Sequence, residues 1–152
     1  MSYARAGHPP AAIWRADGRV QFLEAGNPAM GISARQEYET FVDCLEPGDK
    51  IVLYTDGILE ARRGKEFFDM EGVGRALVTH GPGTAGEVAA GLLEAARQWA
   101  DGPLRDDVAI LVIERESQNP KSVNLSDARI QRLAERPDSE VLIHRERLYP
   151  QV

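Results

Sequence analysis

Two short runs of continuous apolar, β-type residues constrain this chain more than anything else in it. They are Lys50-Ile51-Val52-Leu53-Tyr54-Thr55 and Val108-Ala109-Ile110-Leu111-Val112-Ile113. Unbroken apolarity over so few residues predicts strands, and for the first run a strand buried on both faces. That run stops at Asp56-Gly57, and the second is introduced by Arg105-Asp106-Asp107.

The remaining elements fall around this pair. Ala11–Trp14 and Arg19–Leu23 flank Ala16-Asp17-Gly18, a hairpin signal. Ala25-Gly26-Asn27-Pro28 with Gly31 reads as loop, and Tyr38–Leu45 as a strand closed by the turn Glu46-Pro47-Gly48-Asp49. Met70, Val73 and Leu77 recur at helical spacing ahead of Gly81-Pro82-Gly83. Thr84 and Glu87 form a capping-box pair, and Val88, Leu92, Ala95 and Trp99 repeat on one face of the helix that follows, which Asp101-Gly102-Pro103 ends. After Glu114 the character changes: a polar linker over Ser117–Asn124, a short helix over Ser126–Arg136 with Ser126 as N-cap, and a strand over Glu140–His144. Mixed strands and helices with hairpins early predict an α+β or α/β sandwich.

Composition narrows the function classes. A chain of 152 residues is one domain's worth, able to bury about two-thirds of its unfolded surface. The formal net charge of −6 offers no basic face for a nucleic acid. Cys44 is the single cysteine, which excludes an internal disulfide and a thiolate zinc site. Met1–Pro10 holds no apolar run of signal-peptide type, and the longest apolar stretches fall far short of the roughly 20 residues of a membrane helix. The expectation is a cytoplasmic protein without a membrane partner.

The chemistry sits in the carboxylates. Asp56 ends one strand and Asp106 opens the other, so antiparallel neighbours would bring both to the same edge of the sheet. Paired strands lie about 4.8 Å apart, close enough for two carboxylates to converge on one hard cation. Mg²⁺ and Mn²⁺ favour carboxylate oxygen, and Mg²⁺ takes one or two carboxylates plus waters. The spacing is equally that of a plain turn after one strand and a solvated loop before the other. His8, in the rigid Gly7-His8-Pro9-Pro10 segment, is an acid, ligand or phosphate contact on one reading and a structural histidine on the other. No Ser-His-Asp set, P-loop or dinucleotide fingerprint is present.

Four segments in order carry a resemblance: Ala6-Gly7-His8-Pro9-Pro10, Leu45-Glu46-Pro47-Gly48-Asp49, Leu53-Tyr54-Thr55-Asp56-Gly57-Ile58-Leu59-Glu60-Ala61 and Asp106-Asp107-Val108-Ala109-Ile110-Leu111-Val112. Together they resemble the sporulation stage-II-E (SpoIIE) type branch of the metal-dependent PPM (type 2C) protein serine/threonine phosphatases. The resemblance implies an α/β/β/α sandwich with two Mn²⁺ or Mg²⁺ ions at one end of the sheets, where a metal-activated water hydrolyses phosphoserine or phosphothreonine. It assigns Asp56 and Asp106 as metal ligands and catalytic residues through that water. Gly57 and Asp107 would lie next to them, Asp107 behind the ligands, and His8 near the centre. Its substrates are phosphorylated regulatory proteins of partner-switching circuits, of the anti-sigma-factor antagonist type.

The family's upstream half, with a Gly-Asp-Val-Ser-Gly-His-Gly type motif and a further acidic ligand, has no match in this sequence, and Ala29-Met30-Gly31 stands where Pro-Leu-Gly is commoner. Residues 1–116 therefore read as the C-terminal half of such a domain, and residues 117–152 as a linker, helix and strand without a family counterpart. Half a sandwich leaves strand edges and an apolar face open to association, so a homodimer or a complementing N-terminal half is the expected partner. The alternative function is a non-catalytic, phosphatase-like interaction module or an inactive fragment.

Overall fold

The computed structural model describes residues 1–116 and a strand at Glu140–Glu146. In chain order the elements are β1 (Ser2–Tyr3), β2 (Ala12–Trp14), β3 (Val20–Phe22), β4 (Phe41–Val42), β5 (Lys50–Tyr54), α1 (Asp56–Leu59), β6 (Arg62–Arg63), β7 (Glu66–Phe67), α2 (Asp69–His80), α3 (Ala85–Trp99), β8 (Val108–Glu114) and β9 (Glu140–Glu146). The linker expected over Ser117–Asn124 and the helix expected over Ser126–Arg136 lie outside the described residues.

One five-stranded antiparallel sheet, ordered β3-β2-β5-β8-β9, organises the chain. The early hairpin forms as its Asp-Gly turn predicts. Gly18 takes the left-handed conformation, φ +89°, that suits a residue without a Cβ, and Ile13 pairs with Gln21 across the turn. The strand expected over Glu140–His144 forms and runs two residues further, pairing along β8 from Val108↔Glu146 to Glu114↔Glu140.

The helices cover one face of this sheet. Val73, Ala76 and Leu77 of α2 and Val88, Ala89, Leu92 and Leu93 of α3 are buried in one cluster with Val52, Tyr54, Val108, Ile110 and Val112 of the central strands. Each large side chain buried there contributes about 1.5–3 kcal/mol. The capping box of α3 is complete: Glu87 N–H donates to Thr84 Oγ1 at 3.3 Å, and Thr84 N–H donates to Glu87 Oε2 at 2.7 Å.

Three expectations are corrected. Burial of Lys50–Tyr54 on both faces gives way to alternation: Lys50, Val52 and Tyr54 are buried beneath the helices, while Ile51 and Leu53 opposite are half-buried. The reason is that the described helices cover one side only. On the other side Tyr3, His8, Leu23, Ile51, Leu53 and Ile113 line an open groove of about 280 Å³. The strand expected over Tyr38–Leu45 shrinks to β4, paired with β1. Its flanks bond to side chains instead of a ladder: Asn27 both donates to Glu39 O and accepts from Glu39 N–H, and Arg15 donates to Cys44 O. Finally, the chain does not simply turn at Asp56-Gly57 but enters the short helix α1.

A buried carboxylate fastens the sheet's other end. Asp49 is 2% exposed and accepts from Ala16 N–H, Glu46 N–H and the Arg15 guanidinium, each at 2.9 Å. Burial pushes its carboxyl up, but the Glu46 and Ala16 amides and the Arg15 charge outweigh burial and leave it below the usual carboxylate range. Arg15 also holds Asp43 at 2.7 Å and so ties the hairpin to the strand entering β5.

Candidate metal centre

The antiparallel pairing of β5 with β8, with Tyr54 opposite Ile110, decides where the acidic residues go. One strand ends where the other begins, so Asp56 and Asp106 emerge at the same end of the sheet. Three contacts lock this corner. Thr55 N–H donates to Ala109 O at 3.1 Å, Thr55 Oγ1 donates to Asp107 O at 2.9 Å, and Ala109 N–H donates to the same hydroxyl at 3.0 Å. The threonine hydroxyl thus continues the ladder where the backbone leaves it for α1.

Gly57 makes the approach of the two strand ends feasible. A Cβ at this position would lie 2.7 Å from Asp107 O and 3.2 Å from Asp106 O, both backbone atoms that cannot swing aside. The first turn of α1 therefore rests directly on the Asp106–Asp107 main chain. Neither the sheet nor α1 leaves room for a side chain there.

The carboxylates themselves face solvent. Asp56, Asp106 and Asp107 are all exposed. Asp106 Oδ1 accepts Asp107 N–H at 2.7 Å, which fixes its orientation. The side chains of Asp56 and Asp107 take no hydrogen bond or ion pair from any described residue. Exposed carboxylates at one rim that form no ion pair with a described residue are the type of donor a partly hydrated hard cation accepts. Among the described residues no group of three or more His, Cys, Asp or Glu comes together. The set therefore suits one partly hydrated cation and falls short of a two-ion centre.

His8 lies in the segment leading into β2. It is exposed, its Nδ1 lies 2.8 Å from Pro9 O, and it lines the open groove beside Ile51 and Leu53. No hydrogen bond or ion pair to a described residue links it to either carboxylate. Its segment is nevertheless tethered to the strand that carries Asp56: Tyr54 OH donates to Pro10 O at 2.6 Å. Burial, with the nearby Asp69 charge, pushes the Tyr54 phenol well up, so it stays a donor at all ordinary pH. The residue that sequence reading passed over is Thr55, taken as the last residue of a strand. A threonine directly ahead of Asp-Gly at a strand end is the signal that could have singled it out.

Comparisons with known proteins agree with this architecture. The family model for Stage II sporulation protein E (SpoIIE) matches residues 1–116. Phosphoserine phosphatase RsbU of Bacillus subtilis is 31% identical over 117 residues, which cover 76% of this chain and 35% of that protein. The structure of the RsbU and RsbW domains of Rv1364c from Mycobacterium tuberculosis superposes with a TM-score of 0.67 at 25% identity, over 78% of this chain and 34% of that one. The phosphatase domain of the cell-fate determinant SpoIIE from B. subtilis superposes at 0.60 with 24% identity, over 77% of this chain and 51% of that one. The chain thus spans about a third of RsbU and between a third and a half of these two solved chains. The sheet of β3, β2, β5 and β8 backed by helices on one face, with Asp56 and Asp106 at its rim, is accordingly part of a PP2C-type phosphatase fold, and the chain belongs to the SpoIIE family.

Proposed function

We propose that this chain forms one side of a metal-dependent phosphatase centre that hydrolyses phosphoserine or phosphothreonine on a regulatory protein. The observation that carries the reading is the pair Asp56 and Asp106, exposed at one end of adjacent antiparallel strands. Two relatives support it in kind: RsbU is named a phosphoserine phosphatase, and one SpoIIE phosphatase domain is described as Mn presoaked.

In this reading Asp56 and Asp106 hold Mn²⁺ or Mg²⁺. When bound, such an ion supplies Lewis acidity toward phosphoryl oxygens and makes water a competent nucleophile near neutral pH. The chain's own contribution is positional. Thr55 and the Gly57–Asp107 contact hold the two carboxylates in one frame, and Asp107 N–H fixes the Asp106 carboxylate. A second ion needs carboxylates beyond the described residues, from a complementing N-terminal half or a second copy. His8 enters only as a residue of the adjoining groove.

The shortage of ligands favours a second reading, a non-catalytic phosphatase-like module that binds a phosphoprotein without hydrolysing it. A calorimetric Mn²⁺ titration of the chain beside Asp56→Asn and Asp106→Asn separates the two. Saturable binding lost in both variants, with Mn²⁺-dependent hydrolysis of a phosphoserine peptide on adding the complementing half, is the expected result. Hydrolysis that survives both substitutions would sink the metal reading. Partner binding without hydrolysis under any complementation would favour the module.

A further inference from the structure

Next to the carboxylate rim lies a second feature. Glu60, Arg62, Asp101, Gly102, Pro103 and Arg105 enclose a cleft of about 230 Å³, a volume suited to one side chain rather than a small-molecule cofactor. Its walls are continuous with the rim: Glu60 directly follows α1, and Arg105 directly precedes Asp106.

The cleft is held in shape. Asp101 N–H donates to Arg62 O at 3.1 Å, and Gly64 N–H donates to Asp101 Oδ2 at 2.8 Å, which clamps the β6–β7 hairpin to the end of α3. The Arg63 guanidinium lies 3.7 Å from the centre of the Trp99 ring and seals the same joint from outside. Arg62 is committed, since its Nε donates to Gly64 O at 3.0 Å and its guanidinium sits 5.1 Å from the Phe67 ring. Arg105 is not committed. It is exposed and makes no ion pair or side-chain hydrogen bond to a described residue. Asp101 is occupied by its backbone partner, and no ion pair among the described residues spans the cleft.

We propose that this cleft is the subsite for a residue flanking the phosphorylated one in the substrate protein, and that Arg105 there takes an acidic side chain. The proposal rests on the phosphatase reading for its orientation: the phosphorylated residue faces Asp56 and Asp106. Arg105 and Asp106 are consecutive, with Cα atoms about 3.8 Å apart, and an extended peptide advances about 3.3–3.6 Å per residue. A chain laid along the rim therefore brings a neighbouring residue over the cleft when its phosphorylated residue is over the carboxylates. The guanidinium fork matches a carboxylate in bidentate geometry, which Lys cannot reproduce. Glu60 and Asp101 line the same cleft, so within it Arg105 is the position that favours an anion.

Fluorescent phosphoserine peptides that differ only in Glu or Ala on either side of the phosphoserine test this on the full chain by anisotropy, with and without Mn²⁺. The Glu-flanked peptide should bind about tenfold more tightly, the scale of one charge-assisted bidentate contact. Arg105→Gln should reduce that ratio to about one, and Arg105→Lys should restore only part of it. Unphosphorylated versions should keep the same preference, because the contact is to the flanking carboxylate. Equal affinity for the two peptides, no measurable binding of either, or a preference that survives Arg105→Gln would overturn the proposal. So would an Arg105 effect seen only with phosphorylated peptides whatever their flanks, which would place the phosphoryl group in the cleft. Asp56→Asn separates this from the metal reading: it abolishes any Mn²⁺ response and leaves the Glu preference in place. A Glu preference with no Mn²⁺ response in the unaltered chain would fail the metal reading alone.

Discussion

Gly57 shows how much can rest on the absence of a side chain. Its Cβ position is already occupied by the Asp107 carbonyl oxygen at 2.7 Å, so Gly57→Ala must push α1 off the start of β8. The expected cost is about 1–3 kcal/mol, the usual range for an overpacked contact, measured by urea denaturation. The same shift separates Asp56 from Asp106, so Mn²⁺ affinity should fall together with stability. At the other end of the sheet the decisive residue is Asp49. Its folded carboxyl titrates below the ordinary range, so its stabilising effect is present at neutral pH. That effect is lost as pH falls out of the ordinary carboxylate range toward the depressed folded value. Asp49→Asn should cost about 2–3 kcal/mol at pH 7, because a charged acceptor of three donors is lost. The gap between the two proteins should close as the solution is acidified, and denaturant melts across an acid pH series measure it.

At the scale of elements, helix α3 was legible because its signals are local. Thr84 and Glu87 sit three residues apart and satisfy each other's backbone donors, whatever surrounds them. Thr84→Ala should therefore destabilise by about 1 kcal/mol and lower the melting temperature by a few degrees, as differential scanning calorimetry will read. Strands β5 and β8 were legible for a similar reason, and their pairing correctly brought Asp56 and Asp106 to one rim. Tyr38–Leu45 misled because its backbone partners are distant in sequence: Asn27 and Arg15 claim Glu39 and Cys44. No propensity of the segment itself announces them. Thr55 escaped for the same cause, since its hydroxyl acts on Asp107 and Ala109 far along the chain. The hairpin β6–β7 also went unread; Arg62–Phe67 is polar, short and without alternation, and it is fixed by Asp101 rather than by its own pattern.

For the whole molecule, the sheet has two unlike faces: one sealed by α2 and α3, the other an open apolar groove. Continuous apolarity in β5 registered the need for cover on both sides, but nothing in a sequence says which polypeptide provides it. The edge of β8 is covered within the chain, since β9 pairs with it along its full length. A chain shortened to end at Glu116 should melt at a lower temperature and associate as its concentration rises, because β8 would then present unpaired N–H and C=O groups. Light scattering alongside thermal melts checks both; an unchanged melting temperature in a monodisperse protein would count against an edge role for β9.

The antiparallel corner has one more consequence, and it concerns loop closure. Asp56 and Asp106 lie at the same end of paired strands, yet the rest of α1 and all of α2 and α3 lie between them in the chain. A cation gripped by both would act like a reversible staple across the segment that builds the core. Cross-links over long loops remove the most freedom from the unfolded chain. Ion occupancy at the rim would then be felt by α2 and α3 as thermal endurance: loading the site would tighten a part of the molecule that never touches the ion.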